Sequence, residues 1–210
     1  MNGVELTQII KDSLEKSISF DDYNHLVDQL VEEEKTSGPS QHEDLVYFTK
    51  LNAQRTKRLN KTIKADEASR AVVSSINEKY TWLVLTESWC GDAAQILPLL
   101  NKLAEINPNI DLRLALRDKN DELMNEFLTN GGKSIPKLLI LDKGREVLNT
   151  WGPRPVEAQA LYDSWKNNPD KPAYREFQVD MQKWYLRDKG VSTFKEIAQI
   201  ISDLELQVTV

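Results

Sequence analysis

The hydrophobic period of the chain changes after Tyr80. Up to that point apolar residues recur at helical spacing. Then Trp82-Leu83-Val84-Leu85 follow one another without a break. So short an unbroken run has the pattern of a strand covered on both faces. Ile96, Leu99, Leu100 and Leu103 restore helical spacing to about Asn107, and Ile110, Leu112, Leu114 and Leu116 alternate as a second strand. Residues 118–129 read as a helix stopped by Asn130-Gly131-Gly132, a C-cap signal. Lys137 to Leu141 and Val147 to Trp151 read as strands three and four, joined through Lys143-Gly144. Strand–helix–strand–helix followed by a hairpin predicts an α/β fold with a mixed sheet of about four strands or more.

Helices are expected on either side. The first spans about 3–16, with Leu6, Ile9, Ile10 and Leu14 on one face. The second opens at Ser19, an N-cap residue, and carries Tyr23, Leu26, Val27, Leu30 and Val31. Glu32 to Glu34 end it on a solvated run, and Ser37-Gly38-Pro39-Ser40 breaks the chain. A third helix over 41–60 puts Asn52 and Arg55 at core-like spacing among Leu45, Phe48, Leu51 and Leu59. Two readings stand for that pair: hydrogen bonding to neighbouring backbone or a carboxylate, or facing a ligand. A fourth helix is expected over 66–79. After the hairpin, a helix over 156–167 precedes Pro172, which suits a first helical position. Tyr174, Phe177, Met181, Trp184 and Tyr185 mark a core-facing stripe that Gly190 ends, and Thr193 with Glu196 has capping-box spacing for the last helix. The expected organisation is a helical N-terminal extension over 1–61, the α/β domain over 62–165, and a C-terminal helical extension over 166–210.

Among 210 residues there is a single cysteine and two histidines, His25 and His42, both far from it. One cysteine makes no internal disulfide, and these three residues supply no Cys/His zinc cluster. Acidic residues outnumber basic ones for a net charge of -6, which argues against a nucleic-acid partner. No apolar run approaches the length of a membrane span, and the N-terminal residues lack a signal-peptide pattern. The expectation is a cytoplasmic protein whose lone thiol stays reduced, with no metal and no cofactor.

Trp89-Cys90-Gly91-Asp92-Ala93 falls where the first strand gives way to a helix. Helix amides and the dipole favour a thiolate there. Asp92 works against one, since a neighbouring carboxylate disfavours a second anion. The position favours an exposed, reactive thiol over an inert buried one, and the balance of the two electrostatic effects stays open.

This stretch resembles thioredoxin. Trp89-Cys90-Gly91 follows an apolar strand, and Cys90 matches the family's nucleophilic cysteine. Pro98 matches its mid-helix proline. Ile135-Pro136 heads Ile-Pro-Lys-Leu-Leu-Ile-Leu like the family's cis-proline segment, and Gly144 and Gly152 match two later glycines. Arg117-Asp118-Lys119-Asn120 resembles the turn after the central strand. The whole chain is similar to a bacterial branch of the family that also has Leu128 to Pro136 and Trp-Gly-Pro-Arg-Pro at 151–155. The resemblance implies a thioredoxin-like fold, a cis bond at Pro136, and an extended ligand pairing with the backbone of Ile135 beside Cys90.

The departures from that family set the chemistry. Its resolving cysteine is Ala93 here, its buried acid is Val84, and its turn proline is Asp92. Dithiol exchange needs a second thiol to release product, so the ordinary disulfide-reductase cycle is excluded. Glu87 stands where peroxiredoxins carry a threonine, and Asp92-Ala93 departs from the monothiol glutaredoxin motif. Two functions are expected. One is a monothiol oxidoreductase in which Cys90 reacts and an external thiol such as glutathione resolves it, with Trp89, Gly91, Asp92, Ala93, Ile135 and Pro136 forming the substrate site. The other is a non-catalytic binding module for a protein or peptide partner.

Overall fold

Trp82 to Leu85 are fully buried at the centre of strand β1 (Tyr80–Thr86), which explains their unbroken apolarity. The structure, a computed structural model, describes residues 3–208. The outermost residues of both expected extensions, 1–2 and 209–210, lie outside it. Strand β1 lies between β2 (Ile110–Leu116), which is parallel to it, and β3 (Lys137–Leu141), which is antiparallel. Val84 is the partner of both Leu114 and Leu138. Strand β4 (Val147–Trp151) runs antiparallel to β3 and completes a four-stranded mixed sheet in the order β2-β1-β3-β4.

The N-terminal helices are α1 (Gly3–Glu15), α2 (Phe20–Glu32), α3 (Glu43–Thr62) and α4 (Glu67–Ser74). Ser19 caps α2 as its sequence predicts, accepting from the Asp22 amide at 3.1 Å. Ile18 exchanges both backbone hydrogen bonds with Leu114, so the link between α1 and α2 covers the outer edge of β2. Helix α4 is shorter than expected. It ends at Ser74 because the chain turns into β1, and the Asn107 side chain binds the carbonyls of Val73 and Ile76 at 2.9 Å each.

Helix α5 (Ala93–Ala104) follows β1 and is buried along most of its length, packed between the sheet and α3. The helix expected over 118–129 is instead a turn of 3-10 helix (Arg117–Lys119) followed by the short α6 (Asp121–Glu126). The Asn120 side chain, donating to the Leu116 carbonyl at 2.8 Å, separates them. Asn130-Gly131 is not a helix cap. Both residues have positive φ and turn a small hairpin in which Thr129 and Gly132 exchange backbone hydrogen bonds.

The C-terminal helices are α7 (Val156–Asn167), α8 (Tyr174–Asp188) and α9 (Val191–Val208). Pro172 lies before α8 rather than in its first turn, and its carbonyl accepts from the Trp165 indole. Between α8 and α9, Gly190 has φ 83°, and a side chain there would meet Leu99 of α5 at 2.5 Å. The expected capping box does not form, because α9 already begins at Val191 and Thr193 is buried inside it. Glu196 caps a different helix: it accepts from the Val156 amide opening α7 and from the Trp151 indole, each at 2.8 Å. No described helix is long and apolar enough to cross a membrane.

Candidate functional site

The loop from Glu87 to Asp92 carries the chain out of β1 and into α5. Within it the Cys90 amide donates to the Glu87 carbonyl at 3.1 Å, and the Ala94 amide donates to the Cys90 carbonyl at 3.2 Å. These bonds place Cys90 just ahead of the first turn of α5, where the Ala93 amide points at its sulfur, 3.4 Å away. On the opposite side the thiol donates to the Ile135 carbonyl at 3.3 Å. The Ile135–Pro136 peptide bond is cis, as is Gly152–Pro153. Cys90, Ala93 and Ile135 therefore meet, although 45 residues separate Cys90 from Ile135, and Pro136 follows Ile135 through the cis bond.

The sulfur is not exposed as its position in the sequence suggests: Cys90 is only 7% accessible. Burial pushes its thiol up to about 12, and the Asp92 carboxylate adds to the rise. The Ala93 amide and the Arg154 guanidinium act in the opposite direction and are outweighed. The balance left open by the sequence is thus set by desolvation, and the thiol is held protonated at neutral pH.

Asp92 is itself buried. Its carboxylate pairs with Arg154 at 2.6 Å, both side chains being 11% exposed, and accepts from the Tyr185 hydroxyl at 3.0 Å. Burial disfavours the Arg154 cation, yet the facing Asp92 charge holds its pKa above the ordinary guanidinium value. Burial, reinforced by Asp92, pushes the Tyr185 phenol well above its usual range. Arg154 also lies over the Tyr162 ring, 4.5 Å from its centroid. Neither Arg154 nor Tyr185 was expected at the site. Arg154 sits between the prolines of the 151–155 motif, the one sequence signal that marks it. Tyr185 reads as an ordinary member of the aromatic stripe, and only its hydroxyl reaches Asp92.

Trp89 is half-buried, with the Arg117 guanidinium 4.9 Å from its ring centroid. Gly91 lies against Arg55 of α3 and Gln182 of α8, and its carbonyl accepts weakly from Gln182 at 3.5 Å. Asn52 does what the first of its two readings states: it donates to the Ser88 carbonyl at 2.9 Å. Arg55 donates to the Asn52 side-chain oxygen at the same distance.

A second polar group beneath the loop was not anticipated. Glu87 is fully buried, accepting from the Asp118 amide at 2.9 Å and from the Ser37 hydroxyl. Burial raises its pKa. Ser37 and Ser88 exchange amide-to-hydroxyl bonds at 3.0 and 2.8 Å, and the Thr36, Thr49 and Ser88 hydroxyls join them. The segment that reads only as a helix breaker thereby fastens the N-terminal helices to the Cys90 loop.

A cleft of about 590 Å³ reaches the sulfur. Its lining includes Trp89, Cys90, Ile135 and Arg154 together with Phe48 of α3 and Tyr174 of α8. Among the described residues no three His, Cys, Asp or Glu side chains gather as metal ligands.

A family model described as thioredoxin matches residues 38–166. That is more than half of the chain, and the protein belongs to the thioredoxin family. Two solved structures share the fold across nearly the whole chain. A crystal structure of a protein of unknown function from Pseudomonas aeruginosa is 17% identical, with TM-score 0.60, covering 97% of this chain and 99% of that one. The crystal structure of an HIV epitope-scaffold is 19% identical, with TM-score 0.57 and the same coverage. No curated protein matches the sequence.

Proposed function

We propose that this protein is a thioredoxin-like binding module, which receives an extended segment of a protein partner in the Cys90–Ile135 cleft and keeps its thiol out of turnover. One observation carries the reading: the buried Cys90 thiol donates its proton to the Ile135 carbonyl, 3.3 Å away. A thiol in that bond is a poor nucleophile, since the thiolate is the reactive form. Ala93 supplies no resolving sulfur. The direct test is Cys90→Ser, which keeps a hydroxyl to donate to Ile135. Partner capture and the associated phenotype should persist; their loss would refute the module.

A second reading, monothiol exchange, draws support from the Ala93 amide at the sulfur and from the cationic Arg154 nearby. In that reaction the Cys90 thiolate attacks a disulfide and one thiol leaves; a first glutathione or other small thiol displaces the second product thiol from the mixed disulfide, and a second one frees Cys90, leaving the small thiol as its disulfide. It requires a Cys90 that ionises near neutral pH. Either reading suits the reducing cytoplasmic setting proposed for a lone thiol.

A further inference from the structure

We propose that the groove between α3 and α8 is a docking site for an acidic, amphipathic segment of a protein partner. The proposal rests on the binding-module reading only for the existence of a partner; its surface adjoins the Cys90 cleft, sharing Phe48, Arg175 and Gln178 with it, and extends away from it along the helical flanks.

The groove encloses about 340 Å³. Tyr47, Leu51 and Arg55 succeed one another at four-residue steps on α3, so they share one face. On α8, Arg175, Val179 and Lys183 follow at four-residue steps, and Leu186 lies seven residues, about two turns, beyond Val179 on the same face. Large apolar side chains stand open to water here: Tyr47 is 53% exposed, Val179 52% and Leu186 60%. An apolar patch rimmed by polar groups marks an interaction surface, and two facing helices form the kind of trough that takes an amphipathic segment.

Charge selects the occupant. The described residues lining the groove include Arg55, Arg175 and Lys183 and no carboxylate. Lys183 is engaged by Asp180 at 2.9 Å. Arg55 hydrogen-bonds the neutral amide of Asn52 and feels the Asp92 carboxylate only at longer range, and Arg175 makes no hydrogen bond or ion pair among the described residues. Two guanidiniums that stand in no ion pair among the described residues, on a chain whose net charge is -6, make a local positive trough that complements acidic side chains.

The test is a selection of cysteine-free 16-residue peptides, displayed as a random library, against the Cys90→Ser protein. Enriched peptides should carry net negative charge together with apolar residues. Their affinity should fall by about tenfold or more with Leu186→Glu and with Arg175→Glu, both at exposed positions, and should weaken as salt rises. Failure to enrich any peptide, or enrichment of neutral or basic ones, would overturn the proposal. Peptides lost with Trp89→Ala but insensitive to Leu186→Glu would also overturn it, while leaving binding in the cleft intact. Sedimentation showing a dimer that Leu186→Glu dissolves would make the face a contact between two copies of this chain, and would likewise overturn it.

Discussion

Arg154 and Asp92 form a buried ion pair, 2.6 Å long, whose carboxylate lies two residues along the chain from Cys90. The carboxylate raises the thiol pKa and the guanidinium lowers it, so the pair tunes the sulfur without touching it. Asp92→Asn removes the anion and leaves the cation. Loss of the anion beside a retained cation favours the thiolate, so the pH midpoint of Cys90 alkylation should move down. An unchanged or higher midpoint would show that Asp92 does not act on the sulfur.

Breaking the pair should cost more than removing it. Each single change, Asp92→Asn or Arg154→Met, leaves an uncompensated buried group, which costs roughly 3–5 kcal/mol. The double variant should be destabilised by clearly less than the sum, because neither charge is then stranded. Urea denaturation of the four proteins measures the coupling, and simple additivity would count against a buried pair.

Glu87 gives stability a pH dependence of defined sign. Its pKa is raised by burial in the folded state, so the folded protein holds that proton to higher pH than the unfolded chain does. The contribution is fully present below the unfolded carboxylate pKa and is lost as pH rises through the folded value. Glu87→Gln, whose amide can still serve the Asp118 amide and the Ser37 hydroxyl, should flatten that decline. Chemical denaturation across the acid-to-neutral range measures it; a slope unchanged by the substitution would mean that Glu87 is not its source.

Glu196 holds the start of α7 and the Trp151 indole together. Glu196→Ala leaves the part-buried Trp151 indole without its acceptor and turns the Val156 amide over to solvent, at an expected cost of about 1–3 kcal/mol. The accompanying change in Trp151 surroundings should appear in tryptophan fluorescence before global unfolding. Wild-type stability with unaltered emission would remove Glu196 from this role.

Residues whose partners are close in sequence were legible, and those with distant partners were not. The buried run at Trp82 to Leu85 revealed β1 because full burial leaves no polar alternation. Ser19 was readable as a cap because its partner Asp22 is three residues away. Glu196 misled for the opposite reason: its donors lie 40 and 45 residues earlier, and its spacing from Thr193 suggested a local role. The candidate site divides in the same way. Cys90, Ile135 and Pro136 were legible through motifs. The state of the thiol was not, since it depends on burial under flanking helices and on Asp92, whose partner Tyr185 lies 93 residues away. Asn130-Gly131 was ambiguous, because the same residues suit a helix end and a tight hairpin.

The most direct measurement is the rate of Cys90 alkylation by iodoacetamide in the folded protein as a function of pH, with Cys90→Ser as the blank. A thiol held protonated beside Ile135 gives slow modification at neutral pH and a midpoint well above the free-cysteine value of about 8.5. A midpoint below about 7.5 would contradict the binding-module reading and restore Cys90 as a working nucleophile.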